Sequence, residues 1–403
     1  ERSSLNCHLS NHVSIIHPGN LYPRDTGSMR ILLTTNGMNM GGIETGLRRL
    51  SGGLVALGHT VTVASRPGSQ SAEIVASGVS HLELLMQPLF PIRAVRDVSR
   101  LRKHLLEGVD VVHVFAATAG FLLWIAARTV PKTKRPPVVA SIRGLTNYLD
   151  EPRWKVQLRA AMTLLGASTA VIDSQAVHAL IATLPIRPPV VMGSPFGLVP
   201  PAPVPEDRQK QLRSSLGLRQ TDRVVATTGR LHPVKNHDLT IRAAASAAGR
   251  AGNAHYLIVG EGDARLDLEH LIVELGVEDS VHLLGERNDI IDILSIADVY
   301  VRPGIHETFG QNVIEAMSLG LPIVSFDLQD TRTVLEHGIS GLLVPPADVS
   351  ALASAILQLL SDDKLALDIG QAGHDVYLEH FISDITTSAL CDVYTALSPT
   401  HTR

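Results

Sequence analysis

Residues 302–322 read RPGIHETFGQNVIEAMSLGLP, and this stretch decides the fold of the C-terminal half. It follows an apolar, strand-like run, begins with turn-forming residues and leads into a helix predicted from about Gln311 to Leu319. Glu307 falls in the predicted loop and Glu315 in the helix. A strand, a glycine-containing loop and a helix form the unit of a doubly wound α/β sheet, whose ligands bind at the carboxyl ends of the strands.

The predicted helix begins at Gly310, which is small enough to let a ligand approach. The first N–H groups of the helix, on residues 311–313, and the positive end of its dipole favour an anion such as a phosphate. A carboxylate in the loop can bind sugar hydroxyls, and one in the helix a ribose diol. Two glutamates alone would more often be surface residues. Their placement around His306 and Phe309 favours a ligand site.

Two further loops follow predicted strands in the same half. Residues 229–236 read GRLHPVKN, and the cations Arg230 and Lys235 can neutralise a diphosphate. Taken singly, either cation is more often a solvated surface residue. Residues 259–262 read VGEG, a weak turn signal that gains weight because its loop ends a neighbouring strand.

The same alternation of short apolar runs and helical stretches fills most of the chain, which predicts parallel strands covered on both faces. A chain of 403 residues is long enough for two such domains. Four prolines in residues 199–206 predict a semi-rigid linker between them. The predicted strands are 30–35, 60–64, 109–114, 137–142, 169–172, 223–228, 255–259, 281–284, 299–301, 322–325 and 341–344.

The predicted domain plan has four parts. Residues 1–28 lack apolar periodicity and are expected to be a disordered or non-native extension outside the fold. Residues 29–198 form a first Rossmann-like domain and residues 199–376 a second one. Residues 377–403 are expected to be helical and to cross back to the first domain.

The order GR…KN, VGxG and E-x7-E in the C-terminal half resembles the family-4 retaining glycosyltransferases, which have the GT-B fold. The resemblance extends from about Val224 to Leu360 and, more weakly, from Met29 to Val191. It implies two Rossmann-like domains facing a cleft, with residues 199–376 as the nucleotide-sugar donor domain and residues 29–198 on the acceptor side. It also implies the transfer of a sugar from a nucleoside-diphosphate sugar to a hydroxyl acceptor. It also implies a role for each matched residue. The catalytic set would be Glu307, Lys235, Arg230 and His113; the donor-binding set would be Gly41, Gly42, Arg230, Lys235, Gly260, Arg287, Glu307, Phe309, Gly310, Gln311, Asn312 and Glu315.

The N-terminal half carries two of these candidates. Residues 40–44 read MGGIE and resemble the family's GGxE loop, although a tight strand-to-helix turn explains the two glycines equally well. His113 ends a predicted strand where the family often has a histidine near the sugar. A single histidine at a strand end is more often a packed core residue.

The sequence departs from the family pattern at two places. Residues 194–197 read SPFG where the family commonly has a Pro-Asn-Gly turn. Residues 327–331 read DLQDT where the family usually has two glycines and a glutamate. The second loop lies near the donor site, so the sequence leaves the donor sugar open.

Composition limits the partners. The net charge of -4 and the lack of a long basic run exclude a nucleic-acid footprint. The sequence contains neither an Asp-x-Asp nor an HExxH motif, and we expect no cofactor and no metal, only a UDP- or GDP-linked sugar. The acceptor is expected to be a glycan, a lipid-linked glycan or a small metabolite. Two alternatives remain: a nucleotide-sugar 2-epimerase, and a non-catalytic nucleotide-sugar-binding protein.

Two cysteines and no long apolar run predict a cytoplasmic protein. Residues 91–106, PIRAVRDVSRLRKHLL, predict a basic amphipathic helix. Such a face can contact an anionic membrane surface, although an ordinary solvated face is the commoner case.

Overall fold

The computed structural model describes residues 27–39, 42–88, 91–142, 151–194, 196–247, 253–305 and 310–398, together with the backbone of 13–15. The chain divides into two compact units. Unit 1 comprises Glu1–Gly197 and Ser383–Arg403, and unit 2 comprises Leu198–Ile382. The division lies one residue before the predicted linker.

Unit 1 is a parallel sheet with helices on its faces, in the strand order β1-β8-β7-β6-β5-β2-β3-β4. Its strands are β1 (Val13–Ile15), β2 (Arg30–Gly37), β3 (Thr60–Arg66), β4 (Ser80–Glu83), β5 (Val111–Val114), β6 (Val138–Ser141), β7 (Thr169–Ile172) and β8 (Val190–Met192). Its helices are α1 (Gly42–Ala56), α2 (Ser71–Ala76), α3 (Pro91–Leu106), α4 (Ala117–Arg128), α5 (Arg153–Thr163), α6 (Gln175–Ala182) and the C-terminal α14 (Ser383–Leu397).

Unit 2 repeats this architecture with a parallel sheet in the order β11-β10-β9-β12-β13-β14. Its strands are β9 (Arg223–Thr228), β10 (Ala254–Val259), β11 (Val281–Leu283), β12 (Val299–Arg302), β13 (Ile323–Phe326) and β14 (Leu342–Val344). Its helices are α7 (Glu206–Ser215), α8 (His237–Ala247), α9 (Arg265–Leu275), α10 (Ile290–Leu294), α11 (Gln311–Ser318), α12 (Val349–Ser361) and α13 (Asp363–His380).

The predicted α/β class and all eleven predicted strands are confirmed, with ends shifted by no more than about two residues, as is usual for pattern-based boundaries. Within residues 1–28, Val13–Ile15 forms a strand that pairs in parallel with β8 at the sheet edge. A strand of three residues is too short to show an apolar period of its own. Its partner strand supplies the hydrogen bonds that hold it.

The C-terminal helix α14 belongs to unit 1, where it packs against α1. Leu390 and Tyr394 are fully buried in the core beneath β2 and β3. Gly197 allows this approach, because a Cβ at that position would lie 2.5 Å from the Ser383 Cα. The last helix therefore completes the core of the unit in which the chain begins.

Candidate functional site

The strand order of unit 2 leaves a crevice between β9 and β12. From β9 the chain proceeds through β10 to β11 on one side, and from β12 through β13 to β14 on the other. The connections that follow β9 and β12 therefore diverge, and a crevice opens at the carboxyl ends of these two strands. The loop after β9 and helix α11 after β12 are the segments predicted to bind phosphate.

Three glycines bring the loops after β9 and β10 into direct contact. Gly229, Gly260 and Gly262 have φ angles of 151°, 146° and 157°, which side-chain-bearing residues rarely adopt. A Cβ on Gly260 would lie 1.9 Å from the Gly229 carbonyl oxygen, and one on Gly262 2.3 Å from the Leu231 carbonyl oxygen. Backbone hydrogen bonds join the loops, with Gly229 donating to Val259 at 2.9 Å. This contact fixes the backbone from which Arg230 projects.

Two cations extend from the loop after β9. The Arg230 side chain is exposed, and Lys235 is half-buried at the end of a 3-10 turn formed by Pro233–Lys235. Asn236 ends this turn in the left-handed conformation, with φ 51° and ψ 39°, and α8 begins at the next residue. The turn therefore places Lys235 between a strand end and a helix start, where a fixed cation can meet an anion.

Helix α11 begins at Gln311, and the residue before it, Gly310, has an extended backbone and provides no side-chain cap. The Val313 N–H donates to Gly310 O and to Asn312 Oδ1, both at 3.0 Å, so the prediction of a free N–H at this residue is wrong. The Asn312 backbone N–H makes no hydrogen bond among the residues that the structure describes. The Asn312 side chain donates from Nδ2 to Thr228 O at 2.9 Å and so joins the helix start to the end of β9.

Glu315 and Arg287 are two further candidates in unit 2. Glu315 is half-buried on α11. Arg287 forms a bidentate ion pair with Asp289, with N–O distances of 2.8 and 2.6 Å. This pairing lowers the pKa of Asp289 and raises that of Arg287. The predicted residues Gly41, Glu307 and Phe309 lie outside the described residues.

Arg302 is a charged residue of this region that the sequence patterns do not single out. It ends β12, is only 3% exposed, and donates from Nη1 to the Thr331 hydroxyl at 2.6 Å. Its Nε lies 3.4 Å from the position that a Cβ on Gly310 would occupy. Thr331 belongs to the loop that departs from the family pattern, so this guanidinium links that loop to the start of α11. A cation at the end of the apolar run VYVR was the available signal.

His113 does not have the environment of a substrate-binding residue. Its side chain is fully buried, with Nδ1 2.6 Å from the Tyr394 hydroxyl and Nε2 2.9 Å from the Ser141 hydroxyl. The ring also stacks on Phe115 at a centroid distance of 4.0 Å. Burial lowers its pKa to about 3. These contacts correspond to a packed core histidine, so the predicted catalytic role is not supported.

Unit 1 contains a cavity of about 580 Å³ above β2, β5 and β6. Strand ends supply Asn36, Phe115 and Ile142, and helix α5 supplies Trp154 and Leu158. The cavity lies beside β2 and β5, between which the strand order of this sheet reverses. Glu44, in the first turn of α1, also lines it, and burial raises the pKa of this carboxyl. Gly42 is exposed at the first residue of α1, where a Cβ would meet no atom within 4 Å.

Two kinds of feature are absent from the described part of the chain. No group of three or more His, Cys, Asp and Glu side chains is arranged to hold a metal ion among these residues. In the same ranges, none of the helices has the length and apolarity needed to cross a bilayer.

Models of known protein families match residues in both units. The family model for glycosyl transferases group 1 matches residues 208–376, and the model for glycosyltransferase family 4 matches residues 40–192. A D-inositol 3-phosphate glycosyltransferase of Thermobispora bispora is 30% identical and covers 72% of each chain. The alpha-D-kanosaminyltransferase of Streptomyces kanamyceticus is 33% identical, but the alignment covers only 40% of this chain and 42% of that protein.

Among solved structures, HepE of Anabaena in complex with UDP and glucose superposes with a TM-score of 0.77. The alignment covers 92% of this chain and 100% of HepE, at 20% identity, which supports the shared fold. The two parallel sheets and the two family matches agree with this fold. The chain belongs to the family 4 glycosyltransferases of the GT-B fold.

Proposed function

We propose that this glycosyltransferase uses a nucleoside-diphosphate sugar and transfers the sugar to a hydroxyl acceptor with retention of configuration and without a metal. The observation that carries the proposal is the hydrogen bond from Asn312 to Thr228 O, which joins the start of α11 to the loop bearing Arg230 and Lys235. This hydrogen bond supports a crevice that a helix N-terminus and two cations would share. Diphosphate is the ligand class that fits this combination.

The chemistry follows from where charge develops. As the bond between the sugar and the diphosphate breaks, negative charge accumulates on the leaving phosphate oxygens. Arg230, Lys235 and the positive end of α11 are arranged to stabilise that charge, which is the role a divalent cation takes in other enzymes. We assign the sugar hydroxyls to Glu307 and the ribose diol to Glu315, with Phe309, Gln311 and the glycine loops completing the donor site. No covalent nucleophile is proposed.

The solved complexes of HepE support this choice of donor. HepE was solved with UDP and glucose, and again with UDP-glucose. We therefore place UDP-linked sugars first and GDP-linked sugars second.

Product analysis tests the proposal. The enzyme is incubated with UDP- and GDP-sugars and a panel of alcohols in EDTA, and the products are identified by NMR. We expect free nucleoside diphosphate and a glycoside with the donor's anomeric configuration. An isomerised, intact donor would indicate the epimerase instead, and tight binding without turnover a non-catalytic protein. An inverted product would contradict retention, and dependence on an added divalent ion would contradict metal independence.

We also propose that α3 contacts anionic membrane surfaces. Ile92 and Val95 on this helix are 88% and 68% exposed, and Arg93, Arg96 and Lys103 are exposed with them. Exposed apolar and basic residues on one helix suit the interface of an anionic bilayer. Sedimentation with phosphatidylglycerol vesicles should exceed that with phosphatidylcholine vesicles, and an I92S/V95S variant should lose the difference. Equal sedimentation with both vesicles would leave α3 as an ordinary solvated helix.

A further inference from the structure

The unit 1 cavity has the size and position of a small-molecule site. Its volume of about 580 Å³ falls within the ordinary range for ligand pockets. It lies at the carboxyl ends of β2, β5 and β6, beside the point between β2 and β5 where the strand order reverses. Open parallel sheets bind ligands at such points. None of the residues predicted to hold the donor in unit 2 contributes to it.

The apolar part of the cavity wall remains largely uncovered. Trp154 and Leu158 lie one helical turn apart on α5, and they are 60% and 52% exposed. Both line the cavity, together with the buried Phe115 and Ile142. Large apolar side chains are normally covered, and when they surround a cavity they mark a ligand with apolar surface of its own.

The charged groups at the cavity are few. Glu44 is half-buried, and Lys155 is exposed with its Nζ 5.7 Å from the centre of the Trp154 ring. The third charged residue, Arg159, forms an ion pair with Glu151 at 2.8 Å. A carboxylate that faces a cavity suits a hydroxyl donor, whereas a single exposed lysine does not make a phosphate cradle. The wall is therefore polar at Glu44 and Asn36 and apolar at α5.

The family resemblance already implies that the acceptor binds on the side of unit 1. We propose that the acceptor at this cavity is amphiphilic, with its hydroxyl carried on an apolar ring or chain. The hydroxyl end lies towards Glu44, and the apolar body packs on Trp154 and Leu158. The assignment rests on the proposed function, because it identifies the second substrate of the same reaction. It excludes a bare polyol as the preferred acceptor, since such a molecule would leave the α5 surface uncovered.

Trp154 provides a direct readout, because Trp124 is the only other tryptophan in the chain. A Trp124→Phe variant is titrated with phenyl β-D-glucopyranoside and with methyl β-D-glucopyranoside while Trp154 emission is followed. The two probes differ only in the aglycone. We expect the phenyl glycoside to change the emission and to bind at least about tenfold more tightly, as apolar contacts of this size usually allow. Equal affinities, or an emission change with neither probe, would overturn the proposal.

A second variant tests the residue that forms the apolar wall. Leu158→Ser in the Trp124→Phe background should reduce the preference for the phenyl glycoside by about fivefold or more. The matched control is Leu266→Ser, which changes a leucine that is 67% exposed on α9 of unit 2, and it should leave the preference intact. An unchanged preference in Leu158→Ser would contradict the assignment.

Calorimetric titration with UDP and GDP separates this inference from the donor assignment. If a nucleotide binds and the phenyl preference is absent, the acceptor class is wrong and the donor site stands. If the phenyl preference is present and neither nucleotide binds, the proposed transfer fails, and with it the identification of the amphiphile as an acceptor. Both measurements use the full chain.

Discussion

Both units contain a parallel sheet in which the strand order reverses, but different side chains surround the reversal in each unit. Each has a parallel sheet whose strand order reverses at one point, between β9 and β12 in unit 2 and between β2 and β5 in unit 1. In unit 2 glycines, cations and a helix start surround this point. In unit 1 the wall combines aromatic and aliphatic side chains with polar residues, the half-buried Glu44 and two cations on α5. The fold therefore sets where a ligand binds, and the loop side chains set which ligand binds.

The largest expected effect comes from filling the glycine contact of unit 2. Gly260→Ala places a Cβ 1.9 Å from a carbonyl oxygen at a φ of 146°, so we expect a loss of about 3 kcal/mol of stability. The matched control is Gly52→Ala on α1, where no atom lies within 4 Å. That change should be neutral or stabilise by about 1 kcal/mol, because alanine favours the helix. Urea unfolding followed by circular dichroism compares the two, and equal midpoints would contradict this account.

Removing a cation should impair catalysis without changing stability. Lys235→Ala is expected to lower the rate of sugar transfer, or of donor hydrolysis, by about 100-fold, since one electrostatic contact to a developing anion contributes this much. Lys210→Ala is the control, because that lysine lies on α7 in an exposed ion pair with Glu206. A Lys235→Ala enzyme within a few-fold of wild type would show that the loop after β9 does not bind the leaving group.

His113 makes the stability of unit 1 depend on pH. Its folded pKa of about 3 lies below the unfolded value of about 6.5, so the unfolded chain binds the extra proton. This stability is complete above pH 6.5 and decreases as the pH falls towards 3, by about 2 kcal/mol at pH 5. Both tryptophans belong to unit 1, so their fluorescence reports its unfolding.

Urea midpoints at pH 7 and pH 5 test this effect. The wild type should lose more stability between the two than His113→Gln, which keeps hydrogen-bonding capacity towards Ser141 and Tyr394 but does not titrate. An identical pH dependence in both proteins would show that His113 is not the titrating group.

The smallest effect is expected at the hydrogen bond that joins α11 to β9. Asn312→Ala removes the Nδ2 donor to Thr228 O and should weaken nucleoside-diphosphate binding by about tenfold, the usual cost of one positioned hydrogen bond. Asn253→Ala, at the opposite end of the same sheet, removes a comparable hydrogen bond to Thr221 O and should not affect binding. Titration calorimetry measures both.

The sequence was sufficient for the parts of the fold that depend on local pattern. Continuous apolar runs identified the long central strands, whereas β4 and β8 were not predicted. Only half-exposed and exposed residues make up Ser80–Glu83, and Val190–Met192 has three residues, so neither carries a strong apolar signal. The edge strand β4 and the short strand β8, which lies between β1 and β7, are specified by their partners.

The candidate site likewise combines residues that local sequence patterns predict with residues that these patterns do not reveal. Gly260 was predicted from a turn, but its contact with Gly229 depends on the pairing of β9 with β10, which no local pattern contains. Arg302 and Trp154 were missed because their importance comes from residues distant in the chain. His113 was assigned a catalytic role by resemblance. The resemblance did not reveal that Tyr394, near the other end of the chain, contacts this histidine and helps to bury it.

The most direct test of the donor assignment is a calorimetric titration of wild type and Lys235→Ala with UDP, GDP and UMP in EDTA. Binding of a nucleoside diphosphate by unit 2 without metal predicts that one diphosphate binds at least about tenfold more tightly than the monophosphate. Lys235→Ala should lose most of that difference. If neither UDP nor GDP binds more tightly than UMP, or if the preference persists in Lys235→Ala, the assignment of the β9–α11 crevice to the diphosphate is contradicted.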